Sequence, residues 1–426
     1  MEYKISKYNY ARKVDKNKTL IFNGASSACV VLDNESFSKY NSLDINVDIA
    51  PTLIEQGFWV NKEEIEEFRF DAYKQSNLYT DTKNKNIVIA PTLRCNARCY
   101  YCYEQGRETP TMSQKIVEQT IEFLVSEAKN CESLNISWFG GEPLLAINVI
   151  DKIMHDVKER IETSTIFTCS MTTNGALLSD YVIDKMKNEW NLKNIQITID
   201  GCKDYYEKVK DYRNGKDNFG NIIKNIKKLI STGIEVLVRL NISKDNVEEL
   251  LSLIDYIKEE IGTPKNFDFV AMSLFDFGEE DNRIPLQKEI KKYCGPVFMK
   301  MYNSGYWQNG LQSVLRSRAL PCAAVKKDFY CIDPLGYLYK CQHYLCNPNA
   351  SVGNVEEGVF YNKEFCKWCS SKVPTKCMKC KYLPICQGGC KQMKNPCTIV
   401  KYLMPTLLDI LYLQEGGEKN ASDIKG

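Results

Sequence analysis

The stretch NIVIAPTLRCNARCYYCYEQ, Asn86–Gln105, runs from a short β-rich pattern straight into three cysteines. Cys95, Cys99 and Cys102 follow C-x3-C-x2-C spacing, with no fourth cysteine nearby. A closed tetrahedral zinc site and an ordinary cubane cluster each take four ligands. Three thiolates can hold three irons of a cubane and leave the fourth without a protein ligand. Zinc is the alternative, although neither histidine of the chain, His155 or His343, is close in sequence.

Outward from this stretch the chain alternates strand and helix. Strand patterns are Asn86–Thr92, Leu134–Gly140, Ile166–Gly175, Asn194–Gly201, Ile234–Asn241 and Asn266–Ala271. Helical patterns lie between them at Ser113–Lys129, Leu144–Ile161, Ser179–Asn188, Phe219–Ser231 and Val247–Glu259. Such alternation predicts parallel βα units. It allows a doubly wound sheet or a partial barrel, and in both the ligand chemistry gathers at the C-terminal strand ends. The three cysteines follow the first of those ends.

The flanks differ in character. Residues 1–83 read as a small separate unit: TLIFNG and ACVVL bracket a hairpin, Asn34–Tyr40 and Ala50–Gln56 are helical, and GFWV is a short strand. The pattern suits a winged-helix-like module. A charged segment, Asn61–Asn77, leads out of it. After about Gly305 cysteine, glycine and turn residues dominate, and metal sites can replace a core there. The division expected is 1–83, 84–305, 306–405 and a C-terminal tail, 406–426, whose polar end predicts disorder.

Composition bounds the function. Fifty-six basic residues nearly balance 54 acidic ones in 426 residues, so no bulk field points to nucleic acid or an anionic membrane. No apolar run is long enough to span a bilayer, and the N-terminus lacks a signal-peptide core, which makes the expected location cytoplasmic. Nineteen cysteines in that setting point to metal or redox chemistry rather than disulfides. Eleven of them fall between Cys322 and Cys397. Cys29, Cys131, Cys169, Cys202 and Cys294 are scattered and read as ordinary thiols. His155 reads as a polar-face helix residue; His343, two residues after Cys341, is a surface residue or lies near a metal or substrate.

CNARCYYC resembles the signature of radical S-adenosylmethionine (SAM) enzymes, including the aromatic Tyr101 before the third cysteine. Further positions at successive strand ends agree: Gly140, Gly141, Glu142 and Pro143; Asn174 in TTNG; Thr198 and Asp200 in TIDG; Arg213 in YRNG; Arg239 and Asn241 in VRLN. The resemblance implies a partial (β/α)6 TIM barrel, a 4Fe–4S cluster on Cys95, Cys99 and Cys102, and these further residues as cofactor contacts. The C-terminal cysteines resemble the seven-cysteine SPASM domain with two auxiliary 4Fe–4S clusters, three clusters in all. Carried over, Cys377, Cys380, Cys386 and Cys397 hold the outer cluster, and Cys322, Cys341 and Cys390 the inner one. A zinc ribbon is the alternative for the C-x2-C pairs.

Two departures matter. Cys331, Cys346, Cys366 and Cys369 are extra, and Cys331 lies on the first arm of a hairpin turning at Asp333–Gly336. A two-residue loop points it away from Cys341, whereas a bulge reverses that. The open inner iron, able to take a substrate thiolate, is the reading preferred. Gln342 stands where anaerobic sulfatase-maturing relatives carry an aspartate base, and it cannot accept a proton as a carboxylate can.

Barrel plus SPASM domain resemble maturases of ribosomally made peptides. The resemblance implies a precursor peptide bound by the N-terminal unit through strand addition, and a small electron donor such as ferredoxin or flavodoxin. It also implies an oxidative crosslink, a cysteine thioether first and a carbon–carbon bond second. A sulfatase-maturase-type dehydrogenase making formylglycine is the other enzyme reading, an electron carrier the non-enzyme one.

Overall fold

The computed structural model describes residues 2–67, 83–106, 108–129, 131–213, 217–275, 281–370, 373–393, 397 and 399–417. Most of the charged segment 61–77 and the polar end 418–426 lie outside the described residues. The chain divides into two compact units: residues 1–77, 275–321 and 372–426 form one, and 78–274 with 322–371 the other. The four consecutive domains expected therefore do not match the compact units. The expected cysteine-rich block is divided between the units, and its first and last parts fall with the N-terminal residues.

In the first unit, β2 (Asn9–Lys13), β3 (Lys18–Asn23) and β4 (Cys29–Asp33) form an antiparallel sheet. β1 (Tyr3–Ile5) pairs with β5 (Trp59–Asn61). Helices α1 (Asn34–Ser42) and α2 (Ala50–Glu55) lie between, so the expected hairpin, helices and last strand are all present. Asp33 caps α1 by accepting the Ser36 N–H at 2.7 Å. Leu53, Phe58 and Trp59 are buried at the centre of this part.

In the second unit six parallel strands follow in chain order: β6 (Asn84–Ile89), β7 (Ser133–Trp138), β8 (Ile166–Thr173), β9 (Leu192–Thr198), β10 (Glu235–Ile242) and β11 (Phe267–Ser273). No reversal interrupts them, which removes the doubly wound order, where the sequence of strands switches direction. Between them run α3 (Gln114–Ala128), α4 (Ile147–Arg160), α5 (Asp180–Asn188), α6 (Lys203–Lys210), α7 (Phe219–Ser231) and α8 (Val247–Ile261). Ser113 and Ser179 cap α3 and α5 through the N–H of Ile116 and Val182.

β7 and β8 alternate buried and half-buried residues, whereas β6 ends in three successive buried residues, Ile87, Val88 and Ile89. Ile87, Ile89, Leu134, Ile136 and Trp138 are buried, each such side chain contributing about 1.5–3 kcal/mol. The opposite face is polar and half-exposed: Ser137 and Ser170 hydroxyls meet at 2.9 Å, and Asn135 donates to Asn86 at 2.8 Å. Parallel sheets are ordinarily apolar on both faces. A polar face here departs from that rule.

The sheet is longer than expected. Strand β12 (Tyr330–Ile332) pairs in parallel with β6, and β13 (Tyr337–Tyr339), β14 (Gly353–Asn354) and β15 (Gly358–Val359) continue it to ten strands. The cysteine-bearing hairpin β12–β13 thus joins the strand that leads into Cys95.

The remaining helices are α9 (Ile290–Asn303), α10 (Gly310–Leu315), α11 (Lys363–Cys369), the short α12 (Thr375–Met378) and α13 (Leu383–Cys386), and α14 (Ile399–Gln414). The tail expected from residue 406 is corrected by α14, which packs on α9 within the first unit and buries Leu403, Leu407 and Ile410. Among the described residues no helix is long and apolar enough to cross a membrane.

Candidate functional site

Cys95, Cys99 and Cys102 sit on the loop between β6 and α3, unbridged and half-buried. The loop is tied down through its backbone. Arg98 N–H donates to Lys210 O at 2.8 Å, Arg213 N–H to Asn96 O at 2.9 Å, and Cys102 N–H to Cys99 O at 3.0 Å. The Asn174 amide donates to Asn96 Oδ1 at 2.7 Å, with Cys95 Sγ at 3.8 Å. Burial pushes Cys95 up to about 12 and Cys102 to about 11, and each also feels Cys99. Burial also raises Cys99, against the pull of Lys210. These are clustered, protonated thiols that a metal would convert to thiolates. Three unbridged cysteines on one loop are the donor type of an iron–sulfur cluster with one iron left to another ligand, although among the described residues no three His, Cys, Asp or Glu side chains are grouped as a ready metal site.

Gly140 and Gly141 explain how the loop comes so close to β7. A Cβ on Gly141 would stand 2.4 Å from Arg94 O and 2.5 Å from Leu93 O; one on Gly140, at φ +113°, would stand 2.4 Å from Thr92 O. Only glycine admits that approach. Glu142, fully buried, accepts the Thr173 hydroxyl at 2.7 Å, Asn174 N–H at 2.8 Å and Leu144 N–H at 3.2 Å. Burial raises its carboxyl above the usual range despite these donors. Pro143 begins the next helical turn, also buried.

Behind the loop lies a buried polar knot. Tyr101 donates its hydroxyl to Asp200 Oδ2 at 2.7 Å, and Lys210 Nζ stands 3.0 Å from the same oxygen and 3.1 Å from the Tyr101 oxygen. Asn241 donates to Asp200 Oδ1 at 3.3 Å and accepts from Arg239 Nε at 2.9 Å. Desolvation lowers the Arg239 guanidinium, with Tyr101 and Asp200 opposing. Thr198 is half-buried at the end of β9, and Arg213 is exposed, tied to the loop only through its backbone. Gly140, Gly141 and Asn174 thus meet the cysteine loop directly, Glu142 through Asn174, and Asp200, Arg239 and Asn241 through Tyr101, while the Arg213 side chain is exposed and no contact among the described residues ties Thr198 to the loop.

The auxiliary cysteines separate as follows. Cys377, Cys380, Cys386 and Cys397, all in the first unit, line one cavity with Tyr382 and Leu383. Cys322 and Cys341 belong to the second unit and Cys390 to the first. Cys331 is fully buried, pairs across the hairpin with Tyr339, and lies near Cys322 and Cys341. The turn holds Pro334, Leu335 and Gly336, with Gly336 at φ +84° and Asp333 N–H donating to Tyr337 O at 3.1 Å. With that extra residue in the turn Cys331 pairs with Tyr339, two residues before Cys341, which puts Cys331 on the face that a bulge was expected to give it. Cys366 is exposed on α11, and Cys369 and Cys346 are half-buried. Gln342 is half-buried. The His343 ring lies 4.1 Å from that of Tyr103, next to Cys102 in sequence, whereas His155 is exposed beside Asp156.

Sequence reasoning missed Lys210 and Thr173. A lysine closing an amphipathic helix carries no signal of burial; Thr173 was visible only as part of TTNG.

Comparison with known proteins completes the site. The profile of the radical SAM superfamily matches residues 89–257. The chain is 24% identical over 442 residues to the radical SAM cyclopropyl synthase TigE of Paramaledivibacter caminithermalis, covering 91% of this chain and 89% of that one. It is 30% identical over 227 residues to a probable GTP 3′,8-cyclase of Methanococcus maripaludis, 51% of this chain and 70% of the relative. A cysteine-type anaerobic sulfatase-maturating enzyme of Clostridium novyi is 23% identical over 348 residues, 74% and 90% of the two chains. Among solved structures, anSMEcpe with bound AdoMet matches at TM-score 0.62, 18% identity, over 78% of this chain and 97% of that one. Streptococcus suis SuiB bound to precursor peptide SuiA matches at 0.55, 16% identity, over 93% and 98%. The chain belongs to the radical SAM superfamily and is an enzyme of that kind, with the SAM and 4Fe–4S cluster the family implies.

Proposed function

We propose that this enzyme is a maturase of a ribosomally made precursor peptide and closes a cysteine thioether within it. The observation that carries the reading is end-to-end likeness: 93% of the chain aligns with SuiB, solved with its precursor peptide. The half-exposed polar sheet face around Asn135, Ser137 and Ser170 supports it, being a surface that a peptide rather than a lipid or an apolar ligand would wet.

In this reading Cys95, Cys99 and Cys102 hold the cluster. Tyr101, Gly140, Gly141, Glu142, Pro143, Asn174, Thr198, Asp200, Arg213, Arg239 and Asn241 form or support the seat of SAM. Bound there, cluster and cosubstrate together supply a carbon radical able to take hydrogen from a C–H bond. Thioether closure removes one hydrogen from carbon and one from sulfur. The first would leave on the carbon of 5′-deoxyadenosine, and a base and an auxiliary cluster would be needed to receive the remaining proton and electron. Cys377, Cys380, Cys386 and Cys397 hold the outer cluster, and Cys322, Cys341 and Cys390 the inner one, with Cys331 placed to be its fourth ligand. The N-terminal unit takes the leader peptide on an edge of the β2–β3–β4 sheet, and ferredoxin or flavodoxin supplies the electron.

Carbon–carbon closure is the second reading, favoured by the similarity to a cyclopropyl synthase across 91% of the chain. Formylglycine formation is weakened by Gln342, an amide where a proton acceptor is needed. Anaerobic incubation with short cysteine-containing peptides encoded beside the gene, read by mass spectrometry, separates them. A loss of two hydrogens with one alkylation-resistant cysteine is the expected result. The same loss with every cysteine alkylated shifts the assignment to carbon–carbon closure. An unchanged peptide mass, with SAM cleaved efficiently, overturns the proposal for that peptide.

A further inference from the structure

The knot behind the cysteine loop contains a charge that the family signature does not explain. Lys210 is 2% exposed and Asp200 1% exposed. Burying this pair costs several kcal/mol per ion before their attraction is counted, and apolar side chains of similar volume often serve stability as well. A lysine kept here points to work that apolar packing does not do.

Lys210 grips the loop twice. Its backbone carbonyl accepts the N–H of Arg98, between the first two cysteines, at 2.8 Å. Its ammonium reaches the Tyr101 oxygen at 3.1 Å, one residue before the third. Nζ also stands 5.7 Å from the ring centroids of both Tyr101 and Tyr206, within cation–π range. The next residue, Asp211, turns the chain at φ +43° and pairs with Arg98 at 3.0 Å, holding the helix end against the loop. Asp200 is held by Tyr101, by Asn241 and through its carbonyl by Asn246 at 3.0 Å. The ammonium is therefore fixed in place, and it pulls Cys99 down while Asp200 pushes it up.

We propose that Lys210 is a positioning residue of the radical SAM centre: its buried ammonium orients Tyr101 and places a fixed positive charge that raises the reduction potential of the cluster on Cys95, Cys99 and Cys102. The argument is electrostatic. Reduction adds one negative charge to the cluster, and a cation held close in a low-dielectric surrounding favours that state. The inference rests on family membership and on the loop geometry, independently of any peptide substrate.

The test is an EPR-monitored redox titration of the full chain, reconstituted anaerobically with iron and sulfide. The centre is identified as the signal that changes on adding SAM, which separates it from other clusters. Lys210→Met is expected to disfavour reduction at least tenfold, a fall of at least 59 mV for one electron. Lys210→Arg, which keeps the charge, is expected to stay within threefold of wild type. The neutral pair Asp200→Asn with Lys210→Met covers the case in which an unpaired Asp200 prevents assembly. Its potential is expected between that of Lys210→Met and wild type, because loss of the Asp200 charge offsets part of the loss of the ammonium. Either loaded Met variant with a wild-type potential overturns the proposal. So does failure of both to load iron while Lys210→Arg loads fully, which would assign Lys210 to assembly instead.

Discussion

Glu142 holds Asn174: the carboxylate accepts the Asn174 backbone N–H at 2.8 Å, while the Asn174 side chain reaches Asn96 inside the cysteine loop at 2.7 Å. The residue after β7 thus fixes the residue after β8, which in turn fixes the loop after β6. Three strand ends far apart in sequence are coupled through one buried carboxylate. A motif read from sequence as a cofactor contact is also an internal clamp.

Glu142→Gln should loosen that clamp. The amide keeps the shape but presents an N–H2 to groups that are themselves donors, leaving one of them unpaired at a cost of about 1–3 kcal/mol. Thermal unfolding of anaerobic enzyme and SAM affinity should both fall. The pH dependence has a definite sign. Burial raises the Glu142 carboxyl in the folded state, so its protonated form favours folding and that contribution is lost as pH rises through the folded value. The wild-type advantage over the variant should be largest on the acid side and shrink with rising pH. A gap that widens with pH contradicts the assignment.

Gly141→Ala and Gly140→Ala should displace the cysteine loop, since the new methyl would lie 2.4 Å from a backbone carbonyl in either case. Overpacking of this kind costs about 1–3 kcal/mol. Reduced iron content, with lowered thermal stability, is the expected outcome. Gly220→Ala is the control: it lies in α7 with nothing within 4 Å of the point its methyl would occupy, and should be neutral or gain about 0.5–1 kcal/mol.

Much of this was legible in the sequence, for physical reasons that differ by element. Strands β7 and β8 were readable because buried and half-buried residues alternate along them, and Ser113 and Ser179 announced the helices they cap. The site was readable because C-terminal strand ends meet in such sheets. Long-range pairing was not: nothing local tells Cys331 to lie opposite Val88 of β6. The face of Cys331 turned on whether Gly336 adds a bulge, which spacing alone left open. Helix α14 was hidden by Pro405 in its middle and Asp409 on its buried side. Lys210 was invisible because its burial depends on Asp200, ten residues earlier on another element.

The outer cysteine set makes a separable prediction. Cys380→Ala with Cys386→Ala removes two of four thiols from one cavity, and should lower bound iron by about four per chain, the content of one cubane. The EPR signal that responds to SAM should persist. Iron equal to wild type would remove the outer cluster from the account. Cys331→Ala should lower iron only partially, or make one cluster labile, if the other inner thiols still bind.

Helix α14 predicts that residues 406–414 are structural. Leu407 is fully buried, and its truncation to alanine should cost about 2–5 kcal/mol. On the same helix Asp409 accepts both Nε and Nη2 of Arg12 at 3.0 Å, a two-pronged pair with the β2 strand in the same unit. Asp409→Ala should cost about 1.5–3 kcal/mol, as hydrogen bonds to charged groups do. Arg12→Ala should cost a similar amount, and the double variant less than the sum, because both singles remove one interaction. Thermal unfolding of the anaerobic full chain reads all four. An unfolding temperature for Leu407→Ala within one degree or so of wild type would return these residues to the status of a dispensable tail.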